Sequence, residues 1–124
     1  MRVLICDDEP LIAATVAEHL ALCGYATAVY AQVRDLLIAL EHGVDDVGLV
    51  LSDLCMPGRD GLRLAEAVRR IVPGLPVVLM TSHPLPYDNA DLHARGISAV
   101  LRKPLRMHEV EAVAASAAGR SNNA

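Results

Sequence analysis

The stretch VGLVLSD, residues 47–53, is an unbroken apolar run that closes on a serine and an aspartate. Apolar runs without polar alternation are typical of a strand buried on both faces of a parallel sheet. Shorter runs of related composition lie at residues 3–6, 26–30, 77–80 and 99–101. Segments with helical spacing of apolar residues separate them. The alternation predicts five strand–helix units, and right-handed crossovers then favour one parallel sheet with helices on both faces.

Breaks in these patterns predict where the last helices and the domain end. Prolines delay the fourth helix until about Tyr87, and that helix is expected to stop at Gly96. A last helix is predicted at about residues 105–118, so that residues 1–118 form one domain and residues 119–124 a short flexible tail. The sequence has no linker, internal repeat or second domain, and we expect a complete single-domain protein.

Composition narrows the function classes. The formal charge is −4 at pH 7 and the chain has no long basic run, which argues against a nucleic-acid-binding surface. The cysteines Cys6, Cys23 and Cys55 are odd in number and widely spaced. They predict mostly buried, reduced thiols rather than a disulfide framework or a zinc site. No run is long enough for a signal peptide or a membrane span, so we expect a cytoplasmic protein without membrane contact.

Polar side chains follow four of the five predicted strands. Asp7-Asp8 follow the first strand, Asp53 ends the third, Thr81 follows the fourth and Lys103 follows the fifth. Ligands of open α/β sheets bind beyond the carboxyl ends of the strands, where these residues should meet. Converging carboxylates repel one another unless a cation compensates them, and oxygen ligands suit Mg²⁺. The sequence therefore predicts a Mg²⁺ site open to an incoming phosphate.

The same residues suit phosphoryl transfer. A carboxylate can act as a nucleophile and form an aspartyl-phosphate. Charge spreads over the phosphoryl oxygens during transfer, which the Lys103 ammonium can counter and the Thr81 hydroxyl can hydrogen-bond. Taken singly, Asp7 and Asp8 could be helix-capping residues, Thr81 an ordinary strand-end residue and Lys103 a solvated side chain. Their combination at neighbouring strand ends favours the functional interpretation.

The sequence resembles the receiver domains of two-component response regulators. The residues that carry the resemblance are Asp7-Asp8, Asp53, Met56-Pro57, Gly61, Thr81 and Lys103-Pro104. Any one of these motifs would be weak alone, but their order and spacing extend over essentially the whole chain. The resemblance implies an α/β, flavodoxin-like fold, which is a doubly wound five-stranded parallel sheet in the order 2-1-3-4-5 with five helices.

The resemblance also implies roles for these residues. Asp53 would be the phosphoacceptor, Thr81 would move to bond the phosphoryl group, and Lys103 would pair with it. The Mg²⁺ ligands would be Asp8, Asp53, Asp7 through a water molecule, and the backbone carbonyl of Cys55. The phosphoryl group would come from a phosphohistidine on a sensor histidine kinase or a histidine phosphotransfer protein. A downstream protein would then respond to the conformational switch.

Such a protein would not be an enzyme in the usual sense, because it catalyses only its own phosphorylation and slow dephosphorylation. We expect a monomer or weak dimer that does not contact nucleic acid directly. A shuttle that passes the phosphoryl group to a second histidine protein is an alternative. A phosphatase of the haloacid dehalogenase type is disfavoured, because Cys55 stands where those enzymes place an acidic residue. A module that signals without phosphorylation should have lost some of the acidic residues or the lysine of the site, and the chain has all of them.

The chain departs from the family pattern at several positions. Val100 stands where the family usually has a tyrosine or phenylalanine that flips inward on activation, so the switch position carries a smaller aliphatic side chain. Cys55 and His83 stand two residues after Asp53 and Thr81, where side chains in this family tend to tune dephosphorylation. The prolines before the fourth helix should also shorten or displace it, and that helix is part of the usual signalling face.

Overall fold

The computed structural model describes residues 1–56 and 59–122, and for residues 55–56, 59–61 and 120–122 it describes the backbone only. Within this part of the chain, the strands are β1 (Arg2–Cys6), β2 (Ala26–Tyr30), β3 (Val47–Asp53), β4 (Cys55–Met56), β5 (Arg59–Asp60), β6 (Val77–Thr81) and β7 (Ile97–Arg102). The helices are α1 (Pro10–Leu22), α2 (Val33–His42), α3 (Gly61–Ile71), α4 (Asn89–Ala94) and α5 (Met107–Asn122).

Five strands form one parallel sheet in the order β2-β1-β3-β6-β7. Because β6 and β7 are the predicted fourth and fifth strands, the predicted order 2-1-3-4-5 is confirmed. The two-residue strands β4 and β5 pair antiparallel with each other outside this sheet. They were not predicted, because two residues in a turn-rich loop carry no apolar pattern. All five strands of the main sheet point the same way, so their carboxyl ends share one edge.

Alternating side chains of the central strands fill two cores, one on each face of the sheet. In β1, Leu4 and Cys6 belong to a cluster with buried residues of α2, α3 and α4, whereas Val3 and Ile5 belong to a cluster with buried residues of α1 and α5. This double coverage explains why the strands are apolar at consecutive positions. The two layers of helices confirm the doubly wound α/β architecture.

The fourth helix differs slightly from its predicted bounds. It begins two residues after Tyr87, because the Asp88 carboxylate caps it by accepting the backbone N–H of Asp91 at 2.8 Å. Gly96 follows its end with a φ of 89°, a backbone conformation that favours glycine, as expected for a helix stop. The helix is six residues long, in line with the shortening expected after the prolines.

The last helix is longer than predicted. It begins at Met107 and continues to Asn122, so the predicted end at Ala118 was wrong. The alanine-rich sequence before Gly119 has high helix propensity, and one glycine is not enough to end the helix there. Of the predicted tail, residues 119–122 are helical, and residues 123–124 lie outside the described part of the chain. Among the described helices, none is long and apolar enough to cross a membrane.

Candidate functional site

The carboxyl ends of β1 and β3 bring acidic residues together. The two strands are hydrogen-bonded neighbours, so Asp7, which follows β1, and Asp53, which ends β3, lie at the same edge of the sheet. Asp7 and Asp53 are only 2% and 7% exposed, whereas Asp8 and Glu9 are exposed. One oxygen from each of these four carboxylates lies within 4.8 Å of the others. We refer to Asp7, Asp8, Glu9 and Asp53 as the acidic cluster.

The loop between β1 and α1 fixes the orientation of the Asp7 carboxylate. The backbone N–H of Asp7 donates to the carbonyl of Tyr30 at 3.1 Å, which ties the loop to β2. The backbone N–H of Glu9 then donates to Asp7 Oδ1 at 2.9 Å. Pro10 begins α1 immediately afterwards, at a position where its missing N–H costs no helical hydrogen bond. One Asp7 oxygen is therefore used within the loop, and the other faces the site.

The ammonium of Lys103 contacts three members of the acidic cluster. Its Nζ lies 3.2 Å from Asp7 Oδ2, 3.4 Å from Glu9 Oε1 and 3.4 Å from Asp53 Oδ2. The lysine side chain is only 10% exposed. The backbone N–H of Lys103 donates to the carbonyl of Thr81 at 2.8 Å, which fixes the residue next to the end of β6. The carboxyl ends of β1, β3, β6 and β7 are thus linked around one side chain.

These contacts determine the protonation of the lysine. Burial alone lowers the pKa of Lys103, but the hydrogen bond and charge of Asp7, followed by those of Asp53, outweigh it. The net effect raises the pKa above its ordinary value of 10.5, so the side chain is a cation at neutral pH. Four carboxylates meet here, and the one ammonium contacts three of them. An all-oxygen donor set with excess negative charge fits a hard divalent cation.

Thr81 lies at the same edge with its hydroxyl engaged in a local turn. It is the last residue of β6 and is 2% exposed. The hydroxyl donates to the carbonyl of His83 and accepts the backbone N–H of the same residue, both at 3.1 Å. The His83 residue itself is exposed. The structure therefore places Thr81 where the sequence predicted it, with a hydroxyl that must leave this turn to reach another acceptor.

Glu9 is a site residue that the sequence reasoning missed. Its carboxylate contacts Lys103, which lies 94 residues further along the chain. The available signal was its position directly after Asp7-Asp8, but an acidic residue before a helix-starting proline is ordinarily interpreted as part of the helix start. The contact between Glu9 and Lys103 depends on the pairing of distant strands, which no local pattern encodes.

Three further predicted positions have different outcomes. The Cys55 backbone lies in β4, two residues after Asp53, but its side chain lies outside the described part of the chain. Its carbonyl-ligand and tuning roles stay predictions, as does the tuning role of His83. Val100 is half-buried in β7 and packs against the core cluster beneath α2, α3 and α4. Tyr87 packs against the same cluster, and its ring lies 4.8 Å from the guanidinium of Arg95.

Two of the cysteines have contrasting environments. Cys6 is fully buried in β1, where burial, followed by the charge of Asp7, raises the pKa of its thiol to about 12. Cys23 is exposed just beyond α1, so the prediction of mostly buried thiols was wrong for this residue. Cys23 stands three residues after the buried Leu20, a spacing typical of one helix face, but it is the C-cap residue at which the helix ends.

We expect iodoacetamide at pH 8 to alkylate Cys23 and to leave Cys6 unmodified in the folded protein. A thiol with a pKa of about 12 is ionised to only about one part in ten thousand at that pH, and burial also blocks access. Peptide mass mapping before and after unfolding in urea would show the difference, because Cys6 should react only in urea. Equal labelling of both residues in the folded state would contradict the buried position of Cys6.

Solved structures share this fold. Chemotaxis protein CheY4 of Vibrio cholerae superimposes with a TM-score of 0.82 at 24% identity, covering 94% of this chain and 97% of that one. A CheY-like response regulator receiver domain protein from Methanospirillum hungatei superimposes with a TM-score of 0.86 at 22% identity, covering 99% and 98% of the two chains. At these identities the likeness concerns the fold alone.

Sequence comparison identifies the family. The sensor histidine kinase RcsC of Salmonella typhimurium is 32% identical over 107 residues, which are 86% of this chain and 11% of the kinase. The two-component response regulator ORR21 of Oryza sativa subsp. indica is 31% identical over 115 residues, 90% of this chain and 16% of that protein. The chain thus spans a small fraction of the length of these relatives. The family model of the response regulator receiver domain matches residues 3–115, and the chain therefore belongs to that family.

Proposed function

We propose that Asp53 accepts a phosphoryl group from a phosphohistidine on a sensor histidine kinase or a histidine phosphotransfer protein. The observation that carries this proposal is the buried Asp53 carboxylate, which lies within the acidic cluster and 3.4 Å from the Lys103 ammonium. Buried charged groups cost desolvation energy, and apolar residues of similar size would often stabilise a fold equally well. A buried carboxylate surrounded by other carboxylates therefore favours a chemical role over a structural one.

We infer that Mg²⁺ is the cation that this site takes. Asp8, Asp7 and Asp53 would hold it, together with the backbone carbonyl of Cys55. The ion would supply positive charge to the phosphoryl oxygens during transfer. Asp7 Oδ1 is used by the Glu9 N–H and Asp7 Oδ2 contacts Lys103. This engagement of both oxygens supports a contact between Asp7 and the ion through water rather than directly.

The residues of the chain account for the remaining chemistry. An oxygen of Asp53 attacks phosphorus, and an O–P bond forms while the P–N bond to the donor imidazole breaks and returns its electron pair to nitrogen. Lys103 is already within 3.4 Å of Asp53 and pairs with the arriving phosphoryl oxygens. The Thr81 hydroxyl leaves its turn with His83 and donates to one of them. The protein thus catalyses its own phosphorylation and slow hydrolysis rather than turnover of a separate substrate.

Signalling then follows from the added charge at this edge of the sheet. The phosphoryl group draws Lys103 and Thr81 toward Asp53 and so changes the contacts of the loops after β6 and β7. A downstream protein that binds one arrangement better than the other responds to the change. We propose that the domain acts as a monomer or weak dimer. We also propose that it acts in the cytoplasm, in keeping with Cys6 and Cys23, neither of which is in a disulfide.

Intact-mass measurement after incubation with Mg²⁺ and acetyl phosphate tests this function. We expect one phosphoryl group on the wild-type protein, and none on Asp53→Asn or in the presence of a metal chelator. The amide that replaces the carboxylate in this variant is not nucleophilic, and without the divalent cation the carboxylates repel the incoming phosphate.

A matched control separates the site from a general loss of negative charge. Asp45→Asn removes an exposed carboxylate before β3, outside the acidic cluster, and should be phosphorylated like the wild type. A phosphoryl adduct that persists in Asp53→Asn would show that another residue is the acceptor. Absence of an adduct on folded, Mg²⁺-saturated wild-type protein would rule out the proposed transfer.

A further inference from the structure

His19, Cys23 and Glu111 meet on the surface between α1 and α5, away from the acidic cluster. The Nε2 atom of His19 lies 2.7 Å from Glu111 Oε1, and the Cys23 thiol donates to the same oxygen at 3.4 Å. One donor atom from each residue lies within 4.8 Å of the others. The side chains of His19 and Glu111 are 28% and 48% exposed, so the group is open to solvent.

The fold fixes this group through buried neighbours. Cys23 follows His19 by four residues, and its backbone N–H donates to the His19 carbonyl at 3.1 Å, so both side chains project from the same side of the helix end. Glu111 comes from α5, which packs beside α1 over the same face of the sheet. The buried residues Leu20 and Val110, each adjacent to a member of the group, belong to one core cluster.

We propose that His19, Cys23 and Glu111 bind a divalent ion of the Zn²⁺ class, with one coordination position left for water or a partner's side chain. Imidazole nitrogen, thiolate sulfur and carboxylate oxygen are the three donor types that Zn²⁺ takes from proteins, whereas Mg²⁺ prefers oxygen alone. Three protein ligands with an open fourth position is a common arrangement for accessible zinc. This proposal does not depend on phosphorylation of Asp53.

The distances from Glu111 to the other two ligand atoms are close to those of a zinc site. Ligands at zinc distances in a tetrahedral arrangement lie about 3.3–3.6 Å from one another. The distance of 3.4 Å between Cys23 Sγ and Glu111 Oε1 already matches this value. The His19–Glu111 contact of 2.7 Å must lengthen by about 0.6 Å. A rotation of the half-exposed Glu111 side chain supplies this change without moving either helix.

The proton balance of binding is simple. In the metal-free protein the Cys23 thiol keeps its proton and donates a hydrogen bond to Glu111. On binding, that proton leaves to solvent as the metal–sulfur bond forms. The hydrogen on His19 Nε2 is also given up to solvent and the ring keeps its hydrogen on Nδ1, so that the Nε2 lone pair can bind the metal. Glu111 then exchanges its two hydrogen-bond donors for the ion. No electron transfer or further reactant is needed. The bound ion then ties the C-terminal end of α1 to α5.

Separation from the acidic cluster makes the site testable by itself. His19 lies nine residues beyond Pro10, which corresponds to about 13 Å along α1. Co²⁺ is a suitable probe, because cobalt bound to a thiolate absorbs in the near ultraviolet and cobalt bound to carboxylates alone does not. We expect one equivalent of Co²⁺ to produce this absorption in the reduced full chain, and added Zn²⁺ to abolish it.

Matched variants assign the band to these residues. Cys23→Ser should remove it. His19→Gln or Glu111→Gln should weaken Co²⁺ binding at least about tenfold, because even the loss of an outer-shell partner of a metal ligand costs about 10- to 100-fold. His42→Gln replaces another exposed histidine of a helix end, on α2, and should bind like the wild type. All substituted side chains are at least partly exposed, and circular dichroism would verify that each variant folds.

Thermal unfolding provides a second readout. Zn²⁺ should raise the unfolding temperature of the wild type and of His42→Gln by more than that of Cys23→Ser, in which only the acidic cluster can still take the ion, because an ion that binds only the folded state stabilises it. Absence of the thiolate band in the wild type would overturn the proposal. A band that survives in Cys23→Ser would overturn it as well, since another cysteine would then hold the metal.

Discussion

Lys103→Met is expected to slow phosphorylation of Asp53 by acetyl phosphate about 100- to 1,000-fold, the usual effect of removing one preorganised electrostatic partner from a reacting group. The substitution keeps the length and apolar stem of the side chain and removes only its ammonium. That ammonium contacts Asp7, Glu9 and Asp53 at 3.2–3.4 Å in the resting protein. Without it, negative charge repels the incoming phosphate and no lysine cation follows the charge that develops on its oxygens. Time-resolved intact mass at saturating Mg²⁺ would measure the rate.

The same substitution should destabilise the fold in the absence of divalent ions by about 3 kcal/mol, because it leaves buried carboxylates without their partner. The sign of the pH dependence follows from the raised pKa of Lys103. A raised folded-state pKa means that the charge contributes its full stability below the unfolded value of 10.5 and loses it only as the pH rises through the higher folded value. The difference in unfolding free energy between wild type and variant should therefore be constant from pH 7 to pH 10.5 with respect to this lysine.

Two comparisons isolate the role of the ammonium. Arg102→Met removes a neighbouring exposed cation and should change neither the phosphorylation rate nor the unfolding free energy appreciably. Lys103→Arg keeps the charge but replaces a compact ammonium by a planar guanidinium, so it should recover stability better than rate. A Lys103→Met protein that is phosphorylated as fast as the wild type would contradict the assigned role of this lysine.

Leu20→Ala should lower the free energy of unfolding by about 3 kcal/mol, because it removes a fully buried side chain and leaves a cavity between α1 and the sheet. Leu20 belongs to the core cluster that holds α1 and α5 on one face. Leu22, two residues later on the same helix, is 81% exposed. Leu22→Ala has the same helix-propensity change and should alter stability by less than about 0.5 kcal/mol.

Urea unfolding monitored by circular dichroism would measure both variants. The midpoint should fall strongly for Leu20→Ala and little for Leu22→Ala, while the dependence on urea stays similar because the fold is unchanged. A comparable loss in the two variants would mean that α1 is not packed in the orientation described. The comparison matters for the site, since α1 begins at Pro10, directly after Glu9 of the acidic cluster.

Most of the fold could be predicted from the sequence, because the buried strands are apolar at consecutive positions and alternate along the chain with segments of helical spacing. The bounds were less predictable where a single side chain decides them. Asp88 shifts the start of α4 by capping it. The alanine-rich segment carries α5 past Gly119, which a local rule would take as its end.

The acidic site was predictable for a geometric reason, namely that residues after parallel strands must share one edge. Contacts that join distant segments without this constraint were not predicted. Glu9 shares the edge but stands three residues beyond β1, past the point where the strand fixes the direction of a side chain, so its contact with Lys103 was not predicted. Likewise, His19 and Cys23 meet Glu111 across the seam between two helices, and no spacing within the sequence relates residues 19 and 111.

The turn formed by Thr81 and His83 affects how easily the equilibrium between the two arrangements of the Thr81 hydroxyl can be shifted. Its two hydrogen bonds are between uncharged groups and together contribute about 1–3 kcal/mol. One hydrogen bond from the hydroxyl to a charged phosphoryl oxygen contributes about 1.5–3 kcal/mol. The two ranges overlap, so the two arrangements of the Thr81 hydroxyl have similar free energies. A partner that prefers one arrangement only weakly can then decide the outcome, and the strength of the response becomes a property of the pair of proteins rather than of the phosphoryl group alone.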